Sequence, residues 1–260
     1  MEKILQDKKI LITRERKQAK AFSEKIMRFG GIPIEVPLLK ISCKEREEDK
    51  TVFQTLSKYK WIFFTSANGV ECFFQLLKNY KISSGVFKHI RIAVVGHKTE
   101  EALKNYGYHA DFIPTIYSAD QMVNEFVNNF ALKDPFLLVR GNRSRNVLPD
   151  FFSRLGIEFD TVEVYETLYN DEVADKLNDV LMNQQLDFIT FTSPSTVDAF
   201  IKMRNRILMD GTICVCIGTT TQQRATEAGF NDTITPDIFT IEGMVNCMKD
   251  YIERIEYHGK

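Results

Sequence analysis

The sequence predicts an α/β protein of two doubly wound, mostly parallel-sheet lobes. Two kinds of pattern carry that expectation: short apolar runs alternate with helical periods along the chain, and one turn, WIFFTSANGVECF at Trp61–Phe73, returns as FITFTSPSTVDAF at Phe188–Phe200. A third pattern, two long alternating stretches, sets the link between the lobes.

Taken in order, Ile10–Thr13, Trp61–Phe64, Ile92–Val95, Phe136–Val139, Phe188–Phe191 and Ile213–Ile217 read as buried strands. Near-continuous apolar runs suit a parallel sheet covered on both faces. Between them, Gln18–Phe29, Gly69–Leu77, Lys98–Tyr106 and Thr219–Ala228 show helical spacing, and these often end near a glycine, as helix C-termini prefer. Strand–helix alternation of this kind builds a doubly wound sheet.

The chain also repeats itself. Leu11–Ile41 has a counterpart in Leu137–Leu168, with Arg14 matching Arg140; Ala93–Phe112 matches Val215–Ile234, with Gly96 on Gly218 and Gly107 on Gly229; Ser118–Phe126 echoes Thr240–Met248. Segments in one order at nearly one spacing indicate two copies of one unit, here of flavodoxin-like type. GIPIEVPLLKI (Gly31–Ile41) and IEFDTVEVYETLY (Ile157–Tyr169) hold equivalent places in the copies and alternate apolar with polar residues. Pro33 and Pro37 exclude the first from a central parallel strand, so the two are expected to pair as an antiparallel connecting ribbon.

Composition narrows the function classes. A net charge of −1 over 260 residues gives no global field for nucleic acid or an anionic membrane, so any anion site is local. No stretch reaches the roughly 18–20 apolar residues of a membrane span and the N-terminus reads as no signal, which points to the cytoplasm. The five cysteines, Cys43, Cys72, Cys214, Cys216 and Cys247, are an odd count, and the apolar settings of several read as small core residues rather than a disulfide framework, which fits a reducing compartment. Cys214-x-Cys216 sits in a buried strand without a histidine nearby, and the four histidines are scattered, so no metal site is expected. Neither a complete phosphate loop nor a dinucleotide fingerprint follows any strand.

In an open α/β sheet, ligands gather at the carboxyl ends of the strands, where helix starts present free N–H groups. The candidate binding residues stand there: Thr65, Ser66 and Asn68; Gly96 and Thr99; Ser193, Pro194 and Ser195; Gly218, Thr220 and Thr221. Serine and threonine are also the best helix N-caps, and capping alone accounts for each turn taken singly. Arg140, Gly141 and Asn142, with Arg143 and Arg145, form a compact basic cluster at a strand end, where cations are disfavoured by the helix dipole and an anionic ligand would explain them.

FFTSANGV, VVGHKTEEAL, LLVRGNRSRNVLP, VEVYETLY, ITFTSPSTVDAF and CIGTTTQQRATEAGF, in this order along almost the whole chain, resemble the uroporphyrinogen-III synthase family. The resemblance implies one lobe from residues 1–35 and 168–260, another from 42–160, and a ribbon from 31–41 and 157–169. It implies a hydro-lyase of haem and tetrapyrrole biosynthesis, cofactor-free, that closes hydroxymethylbilane to uroporphyrinogen III with loss of water and inversion of ring D through a spiro intermediate. Such a protein would act as a monomer on a linear tetrapyrrole, with no nucleic acid or membrane partner. Tyr165 matches the family's catalytic tyrosine, as acid catalyst or as a packing partner on the ribbon; Ser66, Thr99, Ser193, Thr220 and Thr221 match cleft hydroxyls. The first turn departs from the second, with Ala67 where the other has Pro194, and Asn68 stands where some relatives carry a base. A non-enzymatic bilobal receptor or regulatory module for a polycarboxylate is the alternative.

Overall fold

The computed structural model describes residues 3–130, 134–205 and 211–258. In chain order they form β1 (Lys9–Ile12), α1 (Arg16–Arg28), β2 (Ile32–Glu35), β3 (Leu39–Cys43), α2 (Lys50–Gln54), β4 (Trp61–Phe64), α3 (Ala67–Asn79), β5 (Arg91–Val94), α4 (His97–Lys104) and α5 (Ala119–Asn129). The second half adds β6 (Phe136–Gly141), α6 (Val147–Arg154), β7 (Phe159–Tyr169), α7 (Ala174–Asn183), β8 (Phe188–Phe191), α8 (Pro194–Met203), β9 (Ile213–Cys216), α9 (Thr219–Glu227), β10 (Thr233–Ile234) and α10 (Ile241–His258). These fall into two compact units, Met1–Lys40 with Leu168–Lys260, and Ile41–Thr167.

In the first unit the strand order is β10-β9-β8-β1-β2, and every neighbouring pair is parallel. Alternation along each strand divides its side chains between two layers, because successive residues point to opposite faces. Leu11, Ile189, Phe191, Cys214 and Cys216 join Leu177, Val197, Phe200 and Ala225, from α7, α8 and α9. Ile10, Ile12, Phe188, Ile213 and Val215 join Phe22 and Ile26 of α1 and Met244 and Met248 of α10. The sheet is thus covered on both sides. At its centre Thr13 donates to the carbonyl of Thr190 at 2.6 Å, and Thr190 to that of Leu11 at 2.9 Å, tying β1 to β8.

The second unit has the order β3-β7-β6-β4-β5, with β7, β6, β4 and β5 parallel. Ile62, Phe64, Val94, Leu137 and Val139 pack on Phe73 and Leu76 of α3 and Leu103 of α4. On the other face Trp61, Phe63, Phe136 and Leu138 meet Phe126 of α5 and Phe152 of α6. Phe63 lies 4.9 Å from Phe126 and 5.2 Å from Phe152, both edge-on, so rings as well as area hold this layer. Burying one such side chain stabilises the fold by about 2–3 kcal/mol.

Two expectations are corrected. Gly31–Ile41 is not one extended strand: β2 is an edge strand parallel to β1, β3 lies beside β7, and Pro37 falls in the break between them. Proline supplies no N–H to a ladder, and the chain leaves one sheet before it enters the next. The cysteines are not all free thiols, because Cys43 of β3 and the buried Cys72 of α3 form a disulfide. Among the described residues no helix is long and apolar enough to cross a membrane.

Candidate active site

Parallel pairing decides where the turns fall. In the second unit β4, β5 and β6 run side by side, so the residues after Phe64, Val94 and Val139 emerge along the same edge of the sheet. In the first unit β8 and β9 likewise deliver Ser193 and Gly218 to one edge. Within each unit the candidate residues therefore share a sheet edge.

Ser66 caps α3, its Oγ accepting from the amide of Gly69 at 3.0 Å, and that same Oγ lies 3.0 Å from the hydroxyl of Tyr165. One hydroxyl thus serves both as cap and as partner to a phenol. The Tyr165 ring lies directly over Gly141, so close that a Cβ there would fall inside the ring's contact envelope. The pairing register between β6 and β7 shifts at Arg140/Gly141, which brings Gly141 opposite Tyr165. The carbonyl of Tyr165 accepts from the amide of Asn142 at 3.1 Å, and Asn142 Oδ1 accepts from the amide of Thr167 at 3.0 Å. Backbone and side chain of Tyr165 are both held by residues picked from the sequence.

Arg140, which the sequence sets in a basic cluster at a strand end, is engaged by its own loop. It is buried, with Nη1 donating to Asn146 Oδ1 at 3.0 Å and Nη2 to the carbonyl of Ser144, while Nε is buried without a partner. It braces the loop after β6, in which Ser144 Oγ also accepts from the amide of Gly141 at 3.1 Å. Its first contacts are with that loop.

The remaining candidates sort by burial. Thr65 and Asn68 are half-buried beside Ser66, Thr65 Oγ1 only 3.5 Å from the carbonyl of Val139, at the outer limit of a hydrogen bond. Gly96 and Gly218 precede α4 and α9 as their caps. Thr99 and Thr221, in the first turns of those helices, are buried under them, whereas Thr220 is exposed. Ser193 caps α8 in a reciprocal box with Thr196, Pro194 begins the helix, and Ser195 Oγ lies 2.9 Å from Ser193 Oγ.

One further residue lies at an equivalent strand end. Arg14 follows β1, its guanidinium half-buried, with Nε bonded to Gln18 at 2.6 Å, and burial lowers its pKa from the usual value. The repeat that pairs Arg14 with Arg140 was the signal in the sequence. Among the described residues no group of three histidines, cysteines or carboxylates could hold a metal. Cys214 and Cys216 lie 3.7 Å apart inside the core, where their mutual hydrogen bond and burial push the Cys214 thiol far up.

A protein with hydroxyls, a held phenol and helix starts along one edge of each parallel sheet belongs to the class that handles small polar or anionic molecules at strand ends. A family model described as uroporphyrinogen-III synthase HemD matches residues 20–246. The chain belongs to that family, whose enzymes are lyases cyclising hydroxymethylbilane on the route to haem and other tetrapyrroles. It is 28% identical over 247 residues to the porphyrin biosynthesis protein HemD of Ruminiclostridium josui, covering 95% of this chain but 49% of that protein, about half its length. With the uroporphyrinogen-III synthase of Chlorobaculum parvum it shares 28% over 235 residues, covering 89% of this chain and 94% of the relative. In fold it is similar to the crystal structure of uroporphyrinogen-III synthetase from Helicobacter pylori, with a TM-score of 0.67 at 18% identity, over 94% of this chain and 99% of that one.

Proposed function

We propose that this chain converts hydroxymethylbilane to uroporphyrinogen III, with loss of water and inversion of ring D through a spiro intermediate. The observation that carries the reading is the Tyr165 hydroxyl, fixed 3.0 Å from Ser66 at the start of α3. Loss of the substrate's hydroxyl is driven by the pyrrole nitrogen and needs only a hydrogen-bond donor at the departing oxygen, which a phenol supplies. Ser66, itself capped onto the Gly69 amide, keeps that phenol in place.

The harder task is regiochemical, since unassisted closure gives the uninverted isomer. Distributed hydroxyls and amides at Thr65, Ser66, Asn68, Asn142, Ser193, Ser195 and Thr220 would grip the substrate's carboxylates and hold the chain in a near-attack shape. Thr99 and Thr221 would support the helix starts from beneath. We further infer a duplicated flavodoxin-type architecture. The order β2-β1-β8-β9-β10 reverses its first two strands as such sheets do, and β7-β6-β4-β5 repeats that order when β6 is taken as first.

The test is to supply hydroxymethylbilane, oxidise the products and separate the isomers. Uroporphyrin III is expected in excess over the spontaneous background; isomer I alone overturns the reading and favours a polycarboxylate receptor.

A further inference from the structure

Each copy of the repeat carries a second device that the active-site reading does not use. In the second unit it is Pro114-Thr115-Ile116-Tyr117-Ser118, and in the first Pro236-Asp237-Ile238-Phe239-Thr240. The correspondence is structural as well as sequential. Both prolines are buried; the amide of Ser118 donates to the carbonyl of Ile116 at 2.8 Å, and that of Thr240 to Ile238 at 2.7 Å. Both hydroxyl residues then cap the next helix, Ser118 accepting from Gln121 at 3.1 Å and Thr240 from Gly243 at 3.0 Å.

Between proline and cap, this tight turn pushes two large apolar side chains into the open. Ile116 is 64% exposed and Tyr117 56%; Ile238 is 71% exposed and Phe239 56%. Exposing large apolar surface at the same position in both copies is costly to repeat without a use. The aromatic ring of each pair lies against the cap glycine of the neighbouring helix. A Cβ on Gly96 would come within 3.0 Å of Tyr117, and one on Gly218 within 3.1 Å of Phe239.

Those glycines are not required by the backbone. Gly96 has φ 176° and Gly218 φ −170°, extended conformations open to any residue. What glycine permits at both places is the close seating of a ring. The seat lies at the ends of β5 and β9, whose parallel neighbours β4 and β8 lead into the helix caps Ser66 and Ser193. Each unit thus presents a flat, half-exposed ring along the edge that carries its candidate binding residues.

We propose that Tyr117 and Phe239 are stacking surfaces for the pyrrole rings of the tetrapyrrole, so that the aromatic lips take the flat faces while hydroxyls and amides take the carboxylate arms. The assignment rests on the synthase reading for the identity of the ligand. Aromatic stacking prefers offset or edge-on rings and is sensitive to planarity, which separates it from simple apolar cover.

The test uses the full chain and two readouts, equilibrium titration with uroporphyrin III as probe and turnover of hydroxymethylbilane. Tyr117→Ala and Phe239→Ala are each expected to weaken probe binding and raise KM about three- to tenfold, with kcat changed less than about twofold. Tyr117→Phe should match the unaltered chain, and Tyr117→Leu and Phe239→Leu, which keep apolar cover without a plane, should lose nearly as much as the alanines. Should an alanine variant fail to give the native circular dichroism spectrum, the leucine variants decide. Unchanged probe affinity in the alanine or leucine variants overturns the proposal. Formation of isomer I alone by the unaltered chain overturns the synthase reading instead, and the titration still reports on the rings.

Discussion

At position 141 the absence of a side chain is what the neighbouring phenol requires. Tyr165 occupies the space a Cβ would take, and its hydroxyl is aimed at Ser66. Gly141→Ala should therefore displace the ring. A loss of about 1–3 kcal/mol in urea unfolding is expected from overpacking, with turnover falling at least about tenfold. Tyr165→Phe leaves the packing and removes the bond to Ser66. Its turnover should fall in a graded way, and complete loss with binding intact would make the phenol an obligatory acid. Ser66→Ala removes cap and phenol partner together, costing about 1 kcal/mol of stability beyond its effect on rate.

At the scale of elements, two fastenings hold the second unit. The Cys43–Cys72 disulfide joins β3 to α3 across a separation of 29 residues. Closing a loop of that size constrains the unfolded chain by about 3–4 kcal/mol, so reduction, or Cys43→Ser with Cys72→Ala, should lower the melting temperature, read by calorimetry with and without dithiothreitol. The other fastening is the phenol of Tyr59, before β4, which donates to Asp160 of β7, itself paired with Lys58 at 2.7 Å. The bond from Lys58, and then that from Tyr59, lowers the Asp160 pKa, while burial and Asp160 raise that of Tyr59.

The carboxylate's contribution is present above the unfolded-state value near ~4 and is lost as pH falls through its lower folded value. The phenol's is present below ~10 and is lost as pH rises toward its higher folded value. Urea midpoints should accordingly decline on both sides, and Tyr59→Phe should flatten the alkaline decline. An unchanged alkaline limb in that variant would remove Tyr59 as its cause.

These elements also mark what the sequence made legible. Apolar runs such as Trp61–Phe64 and Phe188–Phe191 announced central strands because both of their faces are buried, as a covered parallel sheet requires. Pro33 and Pro37 rightly kept Gly31–Ile41 out of a central strand, yet alternation alone concealed that the run divides between two sheets, with β2 parallel to β1 rather than in a ribbon. The Cys43–Cys72 bond was invisible because it depends on β3 and α3 meeting in space. For Arg140 the charge was legible in the sequence and the burial was not, because burial depends on how the loop after β6 folds over it. Tyr165 stood out by resemblance, whereas Gly141 as its seat emerged only from the shift in register between β6 and β7.

On the scale of the whole molecule, the second unit is one continuous stretch, Ile41–Thr167, with its own two-faced core. A fragment of those residues is expected to fold alone, giving a cooperative thermal transition and dispersed amide resonances. A collapsed fragment without a cooperative melt would show that its sheet depends on the rest of the chain.

The bond between Thr13 and Thr190 spans 177 residues. A ribosome delivers β1 and β2 early, but β1 gains its other neighbour only when β8 has emerged, after the whole of the second unit. During translation the first strands wait as an unpaired apolar edge while a complete domain forms behind them. Premature stops before Phe188 should leave that edge open for good, yielding products that aggregate or call on chaperones.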